Sequence, residues 1–174
     1  MKKIMFDEHL GLQEAVMDGR KTQTRRLNAN YKVGEVVAIA QRYEDVLTEF
    51  PDRYTEDQKQ SMRTHMGYWN KMNVKADLMP HHIRITGMRQ ENIQDISTDD
   101  CFREGIYTHT PNMSNPIDNL RFISYSYNCR KGGNVKRWWF ETPKMAFEAL
   151  IRKLYKDLWD RNPVVFVYDF ELVD

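Results

Sequence analysis

The chain has 174 residues and a formal net charge of +1, the size of one domain with a real core and too short for two independent ones. So balanced a charge gives no overall pull toward nucleic acid, and any electrostatic grip has to be local. No apolar run approaches the ~18 residues of a membrane span, and the two cysteines, Cys101 and Cys129, fall in no CxxC or Cys/His pattern, which argues against a zinc site.

The opening MKKIMFDEHL is charged and lacks an apolar signal core, so the expectation is a reduced, cytoplasmic protein. FDEHLGLQEAVMDG then predicts a short helix, with Leu10, Leu12, Ala15 and Val16 as its apolar stripe and Gly19 just past its end. GRKTQTRRL follows as extended chain and gathers Arg20, Lys21, Arg25 and Arg26. YKVGEVVAIAQRY reads as a strand announced by a turn at Gly34, with Val37 and Ile39 alternating with small or polar neighbours. Residues 44–73 look like an insertion, polar, methionine-containing and loosely helical after Thr55.

HHIRITGMRQENI is a second strand region, with Ile83 and Ile85 in period two. ISTDDCFREGI is a compact helix: Ser97 suits the N-cap, Asp99 and Asp100 suit the positive helix end, and Gly105 terminates it. Residues 107–141 form a second irregular region, interrupted by two prolines and the Gly132-Gly133 pair. ETPKMAFEALIRKLYKDLW is the clearest helix, capped by Thr142 with Pro143 at its first position. Its apolar face is Ala146, Phe147, Leu150, Ile151, Leu154 and Leu158. In the closing NPVVFVYDFELVD, Val164, Phe166, Tyr168, Phe170 and Leu172 share one face and Val165 and Val167 the other. That predicts a strand buried on both faces at its start and on one at its end. Without regular crossover helices a doubly wound parallel sheet is disfavoured. One α+β domain over residues 1–174, a small mixed sheet or barrel with helices at its ends, fits better.

The segment GRKTQTRR after a short helix resembles the signature of the ASCH domain family, a branch of the PUA-like β-barrel fold. The pattern Gly-x-Lys-Thr-x-Thr-x-Arg is met by Gly19, Lys21, Thr22, Thr24 and Arg26. YKVGEVVAIA, DISTDDCFREGI and WDRNPVVFVYDFEL are similar, in the same order, to the family's Gly-turn strand, its short helix ending in Glu-Gly and its last strand. The resemblance implies a PUA-like mixed β-barrel with peripheral helices; larger members of this kind often come from phages and prophages. It also implies RNA biology. Relatives bind RNA or modified bases, some small members are amidohydrolases acting on N4-acetylcytidine, and another is described as a ribonuclease. Carried over by motif, the amidohydrolase catalytic residues fall on Lys21, Thr24 and Glu104, with Arg26 and Gln41 as substrate-binding residues near the same pocket. This chain is much longer than the small amidohydrolases.

Those residue types set physical demands. Lys21 and Thr24 are three apart, so a regular strand would turn them to opposite sides; a shared pocket needs a turn or bulge between them. The threonine hydroxyl is a poor nucleophile without a base in reach. Lys21 can be that base if burial and its cationic neighbours lower its pKa, whereas Glu104 would raise it. The expected chemistry is attack by Thr24 or a water on an amide carbonyl, with Lys21 taking the proton and Glu104 assisting departure of the amine. It needs no metal or cofactor.

A second basic region, LRFISYSYNCRKGGNVKRWWF, interleaves Arg130, Lys131, Lys136 and Arg137 with aromatics including Trp138 and Trp139. Cations that track phosphates beside aromatics that stack on bases make it a candidate surface for single-stranded RNA. Trp138 and Trp139 are adjacent on a predicted strand and cannot both be buried on one face, so one is expected to be exposed. The adjacent His81-His82 pair has the wrong spacing for metal ligands on a strand. The functional expectation is recognition of RNA or a modified nucleoside in a cationic pocket, with amide hydrolysis as the leading chemistry. A non-catalytic RNA-binding module and a metal-independent ribonuclease are the alternatives. No membrane and no obligate protein partner is called for.

Overall fold

The computed structural model describes residues 1–109, 124–131 and 134–173. The amino-terminal half holds β1 (Lys3–Ile4), α1 (Leu12–Met17), β2 (Gln23–Arg26), β3 (Val36–Ile39), α2 (Tyr43–Glu49), α3 (Glu56–Thr64) and β4 (His82–Asn92). Short 3-10 turns, the last of them Ala76–Leu78, link α3 to β4. The remainder holds α4 (Thr98–Arg103), β5 (Tyr107–His109), β6 (Ser124–Lys131), β7 (Asn134–Phe140), α5 (Pro143–Leu154), α6 (Leu158–Arg161) and β8 (Val164–Leu172).

Two sheets form. The larger runs β1-β3-β4-β8-β2, with β1 and β3 parallel and the other described pairs antiparallel; the smaller is the antiparallel β5-β6-β7. The architecture is therefore α+β with a mixed sheet. The larger sheet does not close into the expected barrel: among the described residues its ladder ends at β1 and β2. The reason is local. β1 pairs over only two residues before the chain leaves the sheet, and β2 meets that exit through a side chain, Arg26 Nη2 donating to the Met5 carbonyl at 2.7 Å. A seam remains where a barrel would have its last pair of strands.

Local signals place the elements around that seam. Gly19, Gly34 and Gly105 all take positive φ, at 76°, 84° and 101°, where a Cβ would be strained. The Ser97 side chain caps α4 by accepting from the Asp100 N–H, and Thr142 caps α5 by accepting from Met145. Two expected boundaries move. α5 ends at Leu154, so Leu158 belongs to α6, although it stays buried. Val164 at the start of β8 is exposed, and burial on both faces comes in its middle, at Val165, Val167, Tyr168 and Phe170. β8 is flanked there by β2 and β4, which explains why its centre is the most enclosed part.

The segment read as an insertion carries more helix than expected. α2 precedes α3, and Thr55 closes a capping box with Gln58 at the start of α3. Tyr43, Val46, Tyr54 and Met62 pack with Ala38, Val74 and Met79 into a small core of their own. The main core lies on the other side of the sheet, where Phe147, Leu150 and Ile151 of α5 meet Ile83, Ile85, Val165 and Val167. Each such fully buried side chain contributes roughly 1.5–3 kcal/mol, so α5 is held firmly against the sheet. Among the described residues no helix is long and apolar enough to cross a membrane.

Candidate functional site

The residues expected to be functional gather at the seam beside β2. Lys21 lies two residues before Gln23, outside the strand, so strand alternation does not apply to it. Its N–H donates to the Ala15 carbonyl of α1 at 2.7 Å, and the Thr22 N–H donates to the Arg103 carbonyl of α4 at 2.9 Å. These bonds bend the chain between the two helices and turn Lys21 inward. The demand for a turn between Lys21 and Thr24 is met in this way, without a bulge. Gly105 packs beside Lys21, and its φ of 101°, rather than a lack of space for a Cβ, is what favours glycine there.

Lys21 is 2% exposed and Glu104 5%. The Lys21 ammonium pairs directly with Glu104 Oε2, and also donates to the Gln23 carbonyl at 2.8 Å and the Glu104 carbonyl at 2.9 Å. Three donors meet three acceptors, so the ammonium is fully satisfied as seated. Burial nevertheless pulls the Lys21 pKa below its ordinary value. Glu104 opposes that pull, and Arg26 and Arg25 reinforce it. The competition anticipated from the sequence is thus won by desolvation.

Thr24 sits in β2, is buried, and its hydroxyl has no hydrogen-bond partner among the described residues. It lines one cavity of about 50 Å³ together with Lys21, Glu104, Arg26, Met5 and Phe6. α5 supplies the apolar side of that cavity through Phe147, Leu150 and Ile151. The three residues expected to be catalytic therefore line one small, partly open pocket, and Arg26 borders it. Gln41 is not among the lining residues. It is buried beyond the end of β3, its N–H directed at the Met79 sulfur at 3.2 Å and its Oε1 without a partner.

Sequence reasoning passed over Arg25, which is central to the site. Its guanidinium is 2% exposed. Nη1 donates to Glu104 Oε1 at 2.9 Å and to Gln23 Oε1 at 2.8 Å, and Nη2 donates to Glu91 Oε1 at 2.5 Å. Burial alone would lower its pKa, but Glu104 and Glu91 outweigh it and raise it. The Glu104 carboxylate is thus shared, one oxygen on Lys21 and the other on Arg25. Around this core Asp100 accepts from Gln23 and Arg89, and Asp169 accepts from Gln23 and Arg103. The signal was alternation along β2, which puts Arg25 on the face of buried Gln23. Its acidic partners lie 66 to 79 residues away, beyond the reach of any local pattern.

The remaining cations are peripheral. Arg20 bonds to Asp18 at 2.7 Å and lies over the Tyr107 ring. Arg130 and Lys131 fall on β6 and Lys136 and Arg137 on β7, and their side chains lie outside the described residues, as do Gly132 and Gly133. Trp138 and Trp139 are both partly exposed, at 45% and 48%, and Lys153 of α5 sits over the Trp138 ring at 5.1 Å. The expectation that one of the two would be exposed understated the surface: a two-sided strand in a small sheet turns neighbours to opposite faces, and neither face is covered fully here. Trp69 is 70% exposed and does not line the cavity. Cys101 is fully buried, and burial pushes its thiol up to about 12, so it is an inert core residue. Among the described residues no three His, Cys, Asp or Glu side chains are grouped to hold a metal ion. No protein-family model, curated protein or solved structure matches the chain.

Proposed function

We infer that the protein is an amidohydrolase of the ASCH type, within the PUA-like fold, acting on an acylated nucleoside such as N4-acetylcytidine. The observation that carries this reading is the small, partly open pocket lined by the buried Lys21–Glu104 pair and by Thr24. A binding surface has no need to bury a lysine and a carboxylate together at such desolvation cost. A proton-transfer site does, because burial brings the lysine toward neutrality.

In the proposed cycle the Lys21 ammonium first passes a proton to Glu104 Oε2 along their direct contact, which leaves a neutral amine and a carboxylic acid. The amine takes the Thr24 proton as Thr24 Oγ attacks the amide carbonyl. Glu104 returns its proton to the departing nitrogen as the C–N bond breaks. Thr24 is left as an acyl ester and the pair is again ammonium and carboxylate. Water then replaces the threonine as nucleophile, Lys21 accepts its proton by the same route, and the acid and free Thr24 are released. Arg25 fixes Glu104 through Oε1 and so reserves Oε2 for Lys21.

The test is a panel of acylated nucleosides incubated with the wild type and with Lys21→Ala, products being followed by mass spectrometry. Loss of general-base catalysis predicts a fall of about 10²–10⁴-fold in the variant; unchanged turnover rejects the assignment. A second reading, a non-catalytic RNA-binding module, is favoured by the paired exposure of Trp138 and Trp139. It predicts salt-sensitive retention of single-stranded RNA that Trp138→Ala weakens and Lys21→Ala leaves alone.

A further inference from the structure

The cavity at Lys21, Thr24 and Glu104 measures about 50 Å³. One water occupies ~30 Å³ of liquid, and pockets that enclose drug-sized ligands start near ~300 Å³. An acyl group fits there; a base does not. The amine half of any substrate must therefore lie beside it.

A second cavity of about 200 Å³ meets that requirement. It shares Arg25, Arg26, Ile151 and Tyr155 with the first, so the two adjoin along one wall. Its inner lining is apolar: Ile93, Leu158 and Val165 are all buried. Its outer lining is polar and open, with Asn28 and Asn30 exposed in the loop after β2 and Tyr155 partly exposed at the end of α5. Apolar walls accept the faces of a ring, polar rim groups accept its edges, and an exposed tyrosine offers a stacking surface.

We propose that this cavity, between the 27–30 loop and the α5–α6 corner, is the subsite for the leaving amine: it holds one heteroaromatic base, with the sugar projecting past Asn28 and Asn30 into solvent. The proposal rests on the amidohydrolase reading for the acyl end only. It assigns Tyr155 and Leu158 as specificity residues that touch the base without taking part in proton transfer. It also makes the sugar dispensable, since the volume encloses a base and not a whole nucleotide.

The experiment compares N4-acetylcytidine with N4-acetylcytosine as substrates, and cytidine as a binding probe by calorimetry, for the wild type, Leu158→Trp and Tyr155→Ala. Leu158→Trp fills the cavity and Tyr155→Ala removes the stacking face at an exposed position where folding is not at stake. The expected result is a KM for the free base within a few-fold of that for the nucleoside. Each variant should raise KM, and the cytidine dissociation constant, roughly tenfold or more, with kcat changed much less. Unchanged KM and cytidine affinity in both variants overturns the subsite, as does turnover of the nucleoside but not of the free base. If the wild type hydrolyses neither compound, the amidohydrolase reading fails alone: cytidine binding lost in Tyr155→Ala still upholds the subsite, and cytidine binding indifferent to it overturns that as well.

Discussion

Lys21–Glu104 and Arg152–Asp160 are both close ion pairs, and they behave in opposite ways. Arg152 holds both oxygens of Asp160 at 2.7 Å and also bonds Glu148 at 2.9 Å, out in solvent on the α5–α6 corner. Those partners raise the Arg152 pKa and lower that of Asp160, as opposite charges in water should. Lys21 has an equally close carboxylate, yet its pKa falls, because burial outweighs the partner. An opposite charge nearby is therefore no guide to whether a cation is fixed as a charge. How much water each pair has lost decides it.

Breaking the buried pair has the largest expected effect. Glu104→Gln leaves Lys21 and Arg25 without their shared carboxylate and should cost about 3–5 kcal/mol of stability, read as a fall in the urea midpoint at constant m. A change under ~1 kcal/mol would mean that the pair is more hydrated than its burial indicates.

Proton linkage sharpens the comparison next. Lys21 has a folded pKa below its ordinary 10.5. Between that lowered value and 10.5 the unfolded chain holds the extra proton, so stability contributed at this site rises with pH across the window and is lost as pH falls through the folded pKa. Urea unfolding at a series of alkaline pH values should show the wild type gaining on Lys21→Met up to 10.5 and no further. Parallel curves for the two proteins would contradict the lowered value.

The difference between the two pairs also marks what could be read from the chain alone. Gly19, Gly34, Gly105, Ser97 and Thr142 were legible because each answers to its neighbours' backbone, through a positive φ or a cap. Lys21, Thr24, Arg26 and Glu104, which line one cavity, came from the resemblance to the ASCH signature; no local spacing links Lys21 to Glu104, 83 residues further on. α2 went unread although Tyr43, Val46, Leu47 and Phe50 have helical spacing, because the apolar run of β3 leads straight into it. Arg25 was invisible as a site residue because its role depends on Glu91, Asp100 and Glu104 arriving from distant elements. The open seam was equally hidden. It depends on β1 being only two residues long, a boundary that propensity does not set.

The smallest effect is expected at the exposed pair. Asp160→Asn should leave both the thermal midpoint and any turnover within experimental error, since solvent replaces the lost charge. A loss comparable to that of Glu104→Gln would erase the distinction between the two regions.

The central claim is that the Lys21–Thr24–Glu104 cavity cleaves an amide. Its most direct test is the hydrolysis of N4-acetylcytidine by wild type and by Thr24→Val, which keeps the shape of the side chain and removes only an unpartnered hydroxyl. The account predicts cytidine and acetate from the wild type, and a loss of at least ~100-fold in the variant, with folding stability unchanged within ~1 kcal/mol. No product from the folded wild type, or equal turnover by the two proteins, would contradict it.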